Sequence, residues 1–165
     1  MSAKQHILFS SHDHDHKICM AAAIAKAEHV CELRHQRFTK LRKRIFTLVW
    51  QQHKPIRAYD VLEQLQQDGR AAPPTVYRAL DFLLELGLIH RIESMNAFVG
   101  CTAPEQQHKG QFFICNNCGA FLELHSTPIN SAISLSAEDN GFEIQQQTIE
   151  IMGLCPECKT KKDAL

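Results

Sequence analysis

Apolar residues recur at helical spacing through Leu41, Ile45, Leu48 and Val49, with Thr39 placed to cap the segment and Pro55 placed to end it. A shorter helix is predicted over 58–67, with Val61, Leu62 and Leu65 turned inward. Gly69 then permits a turn, and Pro73-Pro74 supply a fixed φ suited to the first turn of a third helix. That helix repeats Val76, Leu80, Leu83 and Leu84 on its buried side until Gly87 stops it. Two short helices joined by a Gly-containing turn, the second begun by Pro, predict a helix-turn-helix. Residues 88–93 and 97–101 read as strands around Ser94-Met95-Asn96, and a hairpin at that point makes the wing of a winged helix.

The remainder of the chain changes period. Residues 112–114 and 121–124 alternate as strands, 128–137 reads as a helix, and 142–152 reads as a long third strand marked by Phe142, Ile144, Thr148 and Ile149. The fold class is therefore α+β, an N-terminal winged helix followed by a small α/β domain.

A length of 165 residues suits one medium domain or two small ones, and 44% hydrophobic residues is ordinary for a globular protein. No apolar run approaches the roughly 18 residues needed to span a bilayer, which predicts no membrane partner. The N-terminus is too rich in His and Asp for a secretory signal, so the cysteines are expected to stay reduced in the cytoplasm. The net charge of zero hides a division: residues 1–95 carry 14 Lys+Arg against 10 Asp+Glu, whereas 96–165 carry 4 against 8. Between Arg34 and Arg57 eight cations, including Arg37, Lys40, Arg42, Lys43 and Arg44, run without an acid. Such a run is either a solvated helix face or a surface for a polyanion. The helix-turn-helix favours the second, because Thr75, Tyr77 and Arg78 lie near the N-terminus of its recognition helix, the end that enters the major groove. Arg there can reach guanine O6 and N7 with two donors, and Thr or Tyr can bond phosphate or touch a thymine methyl.

Four of the seven cysteines form two Cys-x-x-Cys pairs, Cys115/Cys118 and Cys155/Cys158. Two intervening residues let a tight turn aim both sulfurs at one ion, and two such knuckles complete the tetrahedral shell of a structural zinc. A thiol redox enzyme needs only one pair and leaves the other unexplained. A zinc deaminase needs an upstream His-x-Glu, which is absent, and four thiolates leave no open position for a catalytic water. The tract His12-Asp13-His14-Asp15-His16 reads as a flexible, weakly metal-scavenging arm, and Cys19 and Cys31 as packing residues.

The runs Pro73-Pro74-Thr75-Val76-Tyr77-Arg78-Ala79-Leu80-Asp81-Phe82-Leu83, His90-Arg91-Ile92-Glu93-Ser94 and Phe113-Ile114-Cys115-Asn116-Asn117-Cys118-Gly119-Ala120 together resemble the ferric uptake regulator family. The likeness covers roughly residues 27–158 and is greatest to the family's zinc-dependent repressors of zinc-acquisition genes. It implies a homodimer on a double-stranded, A/T-rich palindromic DNA operator, with two zinc ions per chain. One would be the structural four-cysteine zinc. The other would regulate DNA binding from a site between the domains, with His90, Cys101, His108 and Glu123 as the matching positions. Tyr59 and Arg78 match residues expected to reach the bases. His125, two residues beyond Glu123, is a rival or accessory ligand. The resemblance divides the chain into a His-rich arm over 1–17, a winged helix over 18–95, a hinge over 96–107 and a dimerisation and metal-binding domain over 108–165. A three-stranded sheet with one helix is small to stand alone, so pairing across a dimer axis and a zinc at the edge would both help it. Two departures stand out: one His rather than several precedes the first knuckle, which favours zinc over an iron or peroxide sensor, and Thr39-Lys40 replaces the usual Thr-Pro.

Overall fold

The computed structural model describes residues 16–51, 54–67, 69, 72–104 and 110–163. They divide into two compact units, one ahead of residue 107 and one after it.

The N-terminal unit opens with α1 (His16–Leu33), followed by α2 (Lys40–Trp50), β1 (Ile56–Arg57), α3 (Ala58–Gln67), α4 (Pro73–Glu85), β2 (Ile89–Ile92) and β3 (Ala97–Gly100). The expected caps set the helix ends. Thr39 is the N-cap of α2 and its side-chain oxygen accepts from the Arg42 N–H, while Pro73 and Pro74 occupy the first turn of α4. Gly87, at φ +67°, ends α4 with its N–H on the Leu84 carbonyl and the Leu88 N–H on Leu83, a left-handed cap that a side chain would resist. The three strands form one antiparallel sheet in the order β1-β3-β2, with His90 opposite Val99. A 3-10 turn at Glu93–Met95 closes the hairpin, and Arg91 braces it by bonding the Asn96 amide oxygen at 3.1 Å. Val61, Leu65, Val76, Leu80 and Leu83 join the buried faces of α1 and α2 in one apolar core. The helix-turn-helix and wing stand where the periodicity placed them.

Two details differ from the sequence reading. Residues before 18 were expected to be an arm, yet α1 begins at His16; the rest of the His12 to Asp15 tract lies outside the described residues. The hinge was expected from 96, but residues 97–100 form β3, the central strand of the first sheet, which pairs with β2 along its whole length and with β1 at Ala97 and Phe98.

The C-terminal unit contains β4 (Gly110–Cys115), β5 (Phe121–Glu123), α5 (Thr127–Asp139), β6 (Thr148–Gly153) and α6 (Pro156–Asp163). β4 is central, antiparallel to β5 and parallel to β6. The expected strand over 142–152 is shorter than read. Gly141, at φ +62°, turns the chain out of α5, and residues 142–147 remain irregular with Phe142 68% exposed. No helix among the described residues is long and apolar enough to cross a membrane.

Candidate metal centre and nucleic-acid interface

β4 delivers Cys115 at its last position, and residues 116–118 turn so that Cys118 points back beside it. Gly119 N–H bonds the Cys115 carbonyl and the Cys115 N–H bonds the Ala120 carbonyl, closing the first knuckle. The second knuckle lies where β6 gives way to α6, with Cys155 just ahead of the helix and Cys158 in its first turn. Parallel pairing of β4 with β6 sets Cys115 opposite Gly153, and the Asn116 N–H bonds the Gly153 carbonyl at 2.8 Å. That register brings the two knuckles together. All four Sγ atoms lie within 4.8 Å of one another, and Cys118 and Cys155 Sγ are 3.8 Å apart. A tetrahedron of thiolates on zinc has an edge of roughly 3.8 Å, since Zn–S bonds are about 2.3 Å, whereas a disulfide would need about 2.05 Å. The four sulfurs fit zinc and are all free thiols.

The protonation pattern agrees. For Cys115, burial pushes the thiol up, but N–H groups of Cys155, Cys118 and Asn117 outweigh it and hold it at about 6. For Cys155 the Cys158 N–H pulls downward, yet burial and the neighbouring thiols push it up to about 12. Four crowded sulfurs cannot all ionise without a cation, so the first thiolate forms at the expense of the others. A dication removes that conflict. Asn117 donates its amide N–H to Cys158 Sγ at 3.2 Å, an outer contact of the kind that orients a metal ligand.

The remaining candidate ligands are found in both units. His90 is half-buried in β2, and Cys101 is buried just past β3 with its N–H on the Leu88 carbonyl. Their ligand atoms lie within 4.8 Å of each other. In the C-terminal unit Glu123 ends β5 and is only 7% exposed, a depth at which a carboxylate requires compensating charge or donors. His125 is exposed beyond the strand end, and His108 lies outside the described residues. Cys19 and Cys31 belong to the α1 core face, where burial pushes both thiols up and keeps them protonated.

On the N-terminal unit Tyr59 stands 70% exposed in the first turn of α3, and Thr75, Tyr77 and Arg78 are exposed on the first two turns of α4. The α4 N-terminus carries no side-chain cap and no acid in its first turn, which leaves it electropositive. Part of the basic run is used differently from expectation. Lys43 pairs with Glu28 of α1 at 2.7 Å, and the Arg42 guanidinium lies over the Phe82 ring of α4. Neither partner was visible in the sequence, because Glu28 and Phe82 are distant in the chain and meet these cations only once the helices pack.

A winged helix joined to a separate four-cysteine unit defines the class. The sequence pattern of the ferric uptake regulator family matches residues 33–152, and the chain belongs to that family. It is 40% identical over 137 residues to the zinc uptake regulation protein of Escherichia coli (strain K12), spanning 82% of this chain and 80% of that one. Among solved structures it is similar to a zinc uptake regulator complexed with zinc and DNA, at 38% identity and a TM-score of 0.82, over 88% of this chain and 98% of that one. It is also similar to the crystal structure of holo XcZur, at 38% identity and a TM-score of 0.79, over 84% and 98% of the two chains.

Proposed function

We propose that this chain is a zinc-responsive DNA-binding repressor of zinc-uptake genes, working in the cytoplasm as a homodimer on A/T-rich palindromic operators. The observation that carries the proposal is the exposed, uncapped start of α4, with Thr75, Tyr77 and Arg78, in a chain 38% identical to a zinc uptake regulator complexed with zinc and DNA. Arg78 reads a guanine edge, Tyr59 reaches the bases from α3, and Thr75 and Tyr77 fix the helix on phosphate or a thymine methyl. The protein is a regulator rather than an enzyme, since a four-thiolate shell offers no open position for a reacting water.

Zinc acts at two places in each chain. The first is the four-cysteine site, where Cys115, Cys118, Cys155 and Cys158 hold a structural ion that ties β4 to α6. The second is regulatory, with His90 and Cys101 contributed by the wing side and His108 and Glu123 by the dimerisation side. Two imidazoles, a thiolate and a carboxylate make a mixed set suited to zinc at the threshold of availability. An ion held by ligands from both units favours one arrangement of the two winged helices, and therefore raises operator affinity by its differential affinity for that arrangement. The buried Glu123 carboxylate and the closeness of His90 to Cys101 support this ligand set. Exposed Leu135, Phe142, Ile151, Met152 and Leu154 support the dimer, since apolar residues this numerous on one small unit call for a covering surface.

The test is a gel-shift titration of an A/T-rich palindrome against buffered free zinc, iron(II) and manganese(II). Zinc alone should raise affinity for the palindrome over random DNA. A response to iron(II) or manganese(II) at comparable free concentration, or none to zinc, would overturn the reading.

A further inference from the structure

We propose that Arg42 is a positioning residue for the recognition helix, holding α4 through the face of Phe82 rather than meeting DNA with its own charge. The proposal rests on the reading of α4 as the DNA-reading element. Arg42 opens from the first turn of α2, where its N–H is fixed on Thr39 Oγ1 at 3.3 Å. Its side chain is then clamped at two points: Nη1 donates to the Arg37 carbonyl at 2.6 Å, and Cζ lies 3.4 Å from the centroid of the Phe82 ring. Phe82 is buried and sits one helical turn beyond Arg78 on α4. Any tilt or rotation of α4 that lifts Phe82 from the guanidinium therefore also moves Arg78.

The residue type is informative. A Leu or Met would fill apolar space between α2 and α4, but with no preferred plane. A guanidinium stacks flat on a ring while its edge donates to a carbonyl, which fixes both separation and orientation. Lys carries the same charge but has neither the plane nor the fork. The next cation behaves alike, because Lys43 is committed to Glu28 of α1. Two successive members of the basic run thus have partners on α1 and α4, the Lys43 pair being exposed and weak, while Arg34, Arg37 and Lys40 stand exposed for phosphate contact.

Charge and position separate experimentally. Operator and random-duplex affinities would be measured across a salt series at saturating zinc for wild type, Arg42→Lys, Arg42→Gln, Phe82→Leu and the Arg42→Lys/Phe82→Leu double variant, with thermal unfolding followed for each. Arg42→Lys retains the charge yet should lose about tenfold in operator affinity, with random-DNA affinity unchanged. Arg42→Gln should leave the salt slope at its wild-type value. Phe82→Leu should reproduce the Arg42→Lys loss, and the double variant should add nothing to it. Preference at the base read by Arg78 should relax in all of them. Arg42→Lys binding like wild type would overturn the proposal. So would Arg42→Gln weakening both duplexes alike and lowering the salt slope by about one, the mark of a phosphate contact. If Phe82→Leu does not fold, the Arg42→Lys and Arg42→Gln pair decides the question alone. A wild type without sequence preference would overturn the reading of α4, and this proposal with it.

Discussion

α2, with 11 residues, buries Ile45, Phe46, Leu48, Val49 and Trp50, whereas α5, with 13, buries none. The same contrast runs through the two units. The N-terminal unit closes a contiguous apolar core drawn from all four of its helices and its sheet. In the C-terminal unit Phe112, Ile114 and Leu124 are buried, but a separate buried cluster consists of Cys115, Cys155 and Cys158, with large apolar side chains left on the surface. A unit of that size with so little covered surface is marginal unless something binds it. The first unit carries a core of its own. On the function proposed above, the second relies on a metal and a second chain, so that ligation and dimerisation contribute to its folding.

Removing the metal should separate the two most sharply. Cys118→Ser, or strong chelation, should unfold the C-terminal unit while the N-terminal unit keeps its own calorimetric transition. Structural zinc contributes about 10–16 kcal/mol of apparent binding free energy in small metal-dependent folds, more than most domains possess in total. A Cys118→Ser dimer of normal melting behaviour would show that the cysteines are not the staple.

The dependence on a second chain can be broken by charge. Ile151→Asp or Phe142→Asp should weaken dimerisation by about 2–4 kcal/mol, read by sedimentation, with the zinc content of each chain unchanged. If sedimentation stayed dimeric at micromolar protein, these exposed residues would face water in the assembly and the apolar surface would need another explanation.

The N-terminal unit has its own weak point. A Cβ at Gly100 would overlap the indole of Trp50, so Gly100→Ala must displace a buried ring. It should destabilise the N-terminal unit by about 1–3 kcal/mol and leave the C-terminal transition where it was. Equal shifts in both transitions would mean that the units do not unfold separately.

A finer distinction comes from pH. In the metal-free site Cys115 is ionised above about 6, whereas Cys155 keeps its proton until about 12. Zinc binds thiolates and so must expel protons at neutral pH. Affinity should rise with pH, fall as pH is lowered, and fall more steeply below about 6, where Cys115 also protonates. Competition titrations from pH 5.5 to 8 measure this, and the N-terminal unit should show no such slope in its melting. A pH-independent zinc affinity would mean that the ligands are not thiols carrying protons.

The sequence was readable where one residue type serves one local purpose. Thr39, the Pro73-Pro74 pair and Gly87 set helix ends by local backbone chemistry, and α2, α3, α4 and the wing followed. The two Cys-x-x-Cys pairs were equally plain, because ligand spacing is local within each knuckle. The failures were non-local or weakly patterned. The start of α1 carries no acid in its first turn and little amphipathic contrast among its alanines, so it passed for an arm. The stretch 142–147 imitates a strand through Phe142 and Ile144, but no strand among the described residues pairs with it once Gly141 has turned the chain. α6 carries ordinary helix signals in Pro156 at its start, Glu157 in its first turn and Lys161 and Lys162 in its last, but at eight residues and with Cys158 in its first turn it has no apolar stripe to mark it. The partners of Arg42 and Lys43 could not be seen at all before the helices were packed. His90, Cys101, His108 and Glu123 share no spacing rule, and only likeness to a family singled them out.

On the proposed function, the zinc that staples the C-terminal unit and the zinc that controls DNA binding are different ions at different sites. Cys101→Ser tests this most directly, because Cys101 lies in the N-terminal unit and outside the four-cysteine cluster. Zinc content and operator affinity of the purified variant would be measured together, with and without added zinc. The expected result is a folded dimer that keeps one zinc per chain and loses the zinc-dependent gain in operator affinity. A variant that still holds two zinc ions per chain and tightens on its operator as wild type does would contradict the account, and would make His125 the next residue to replace.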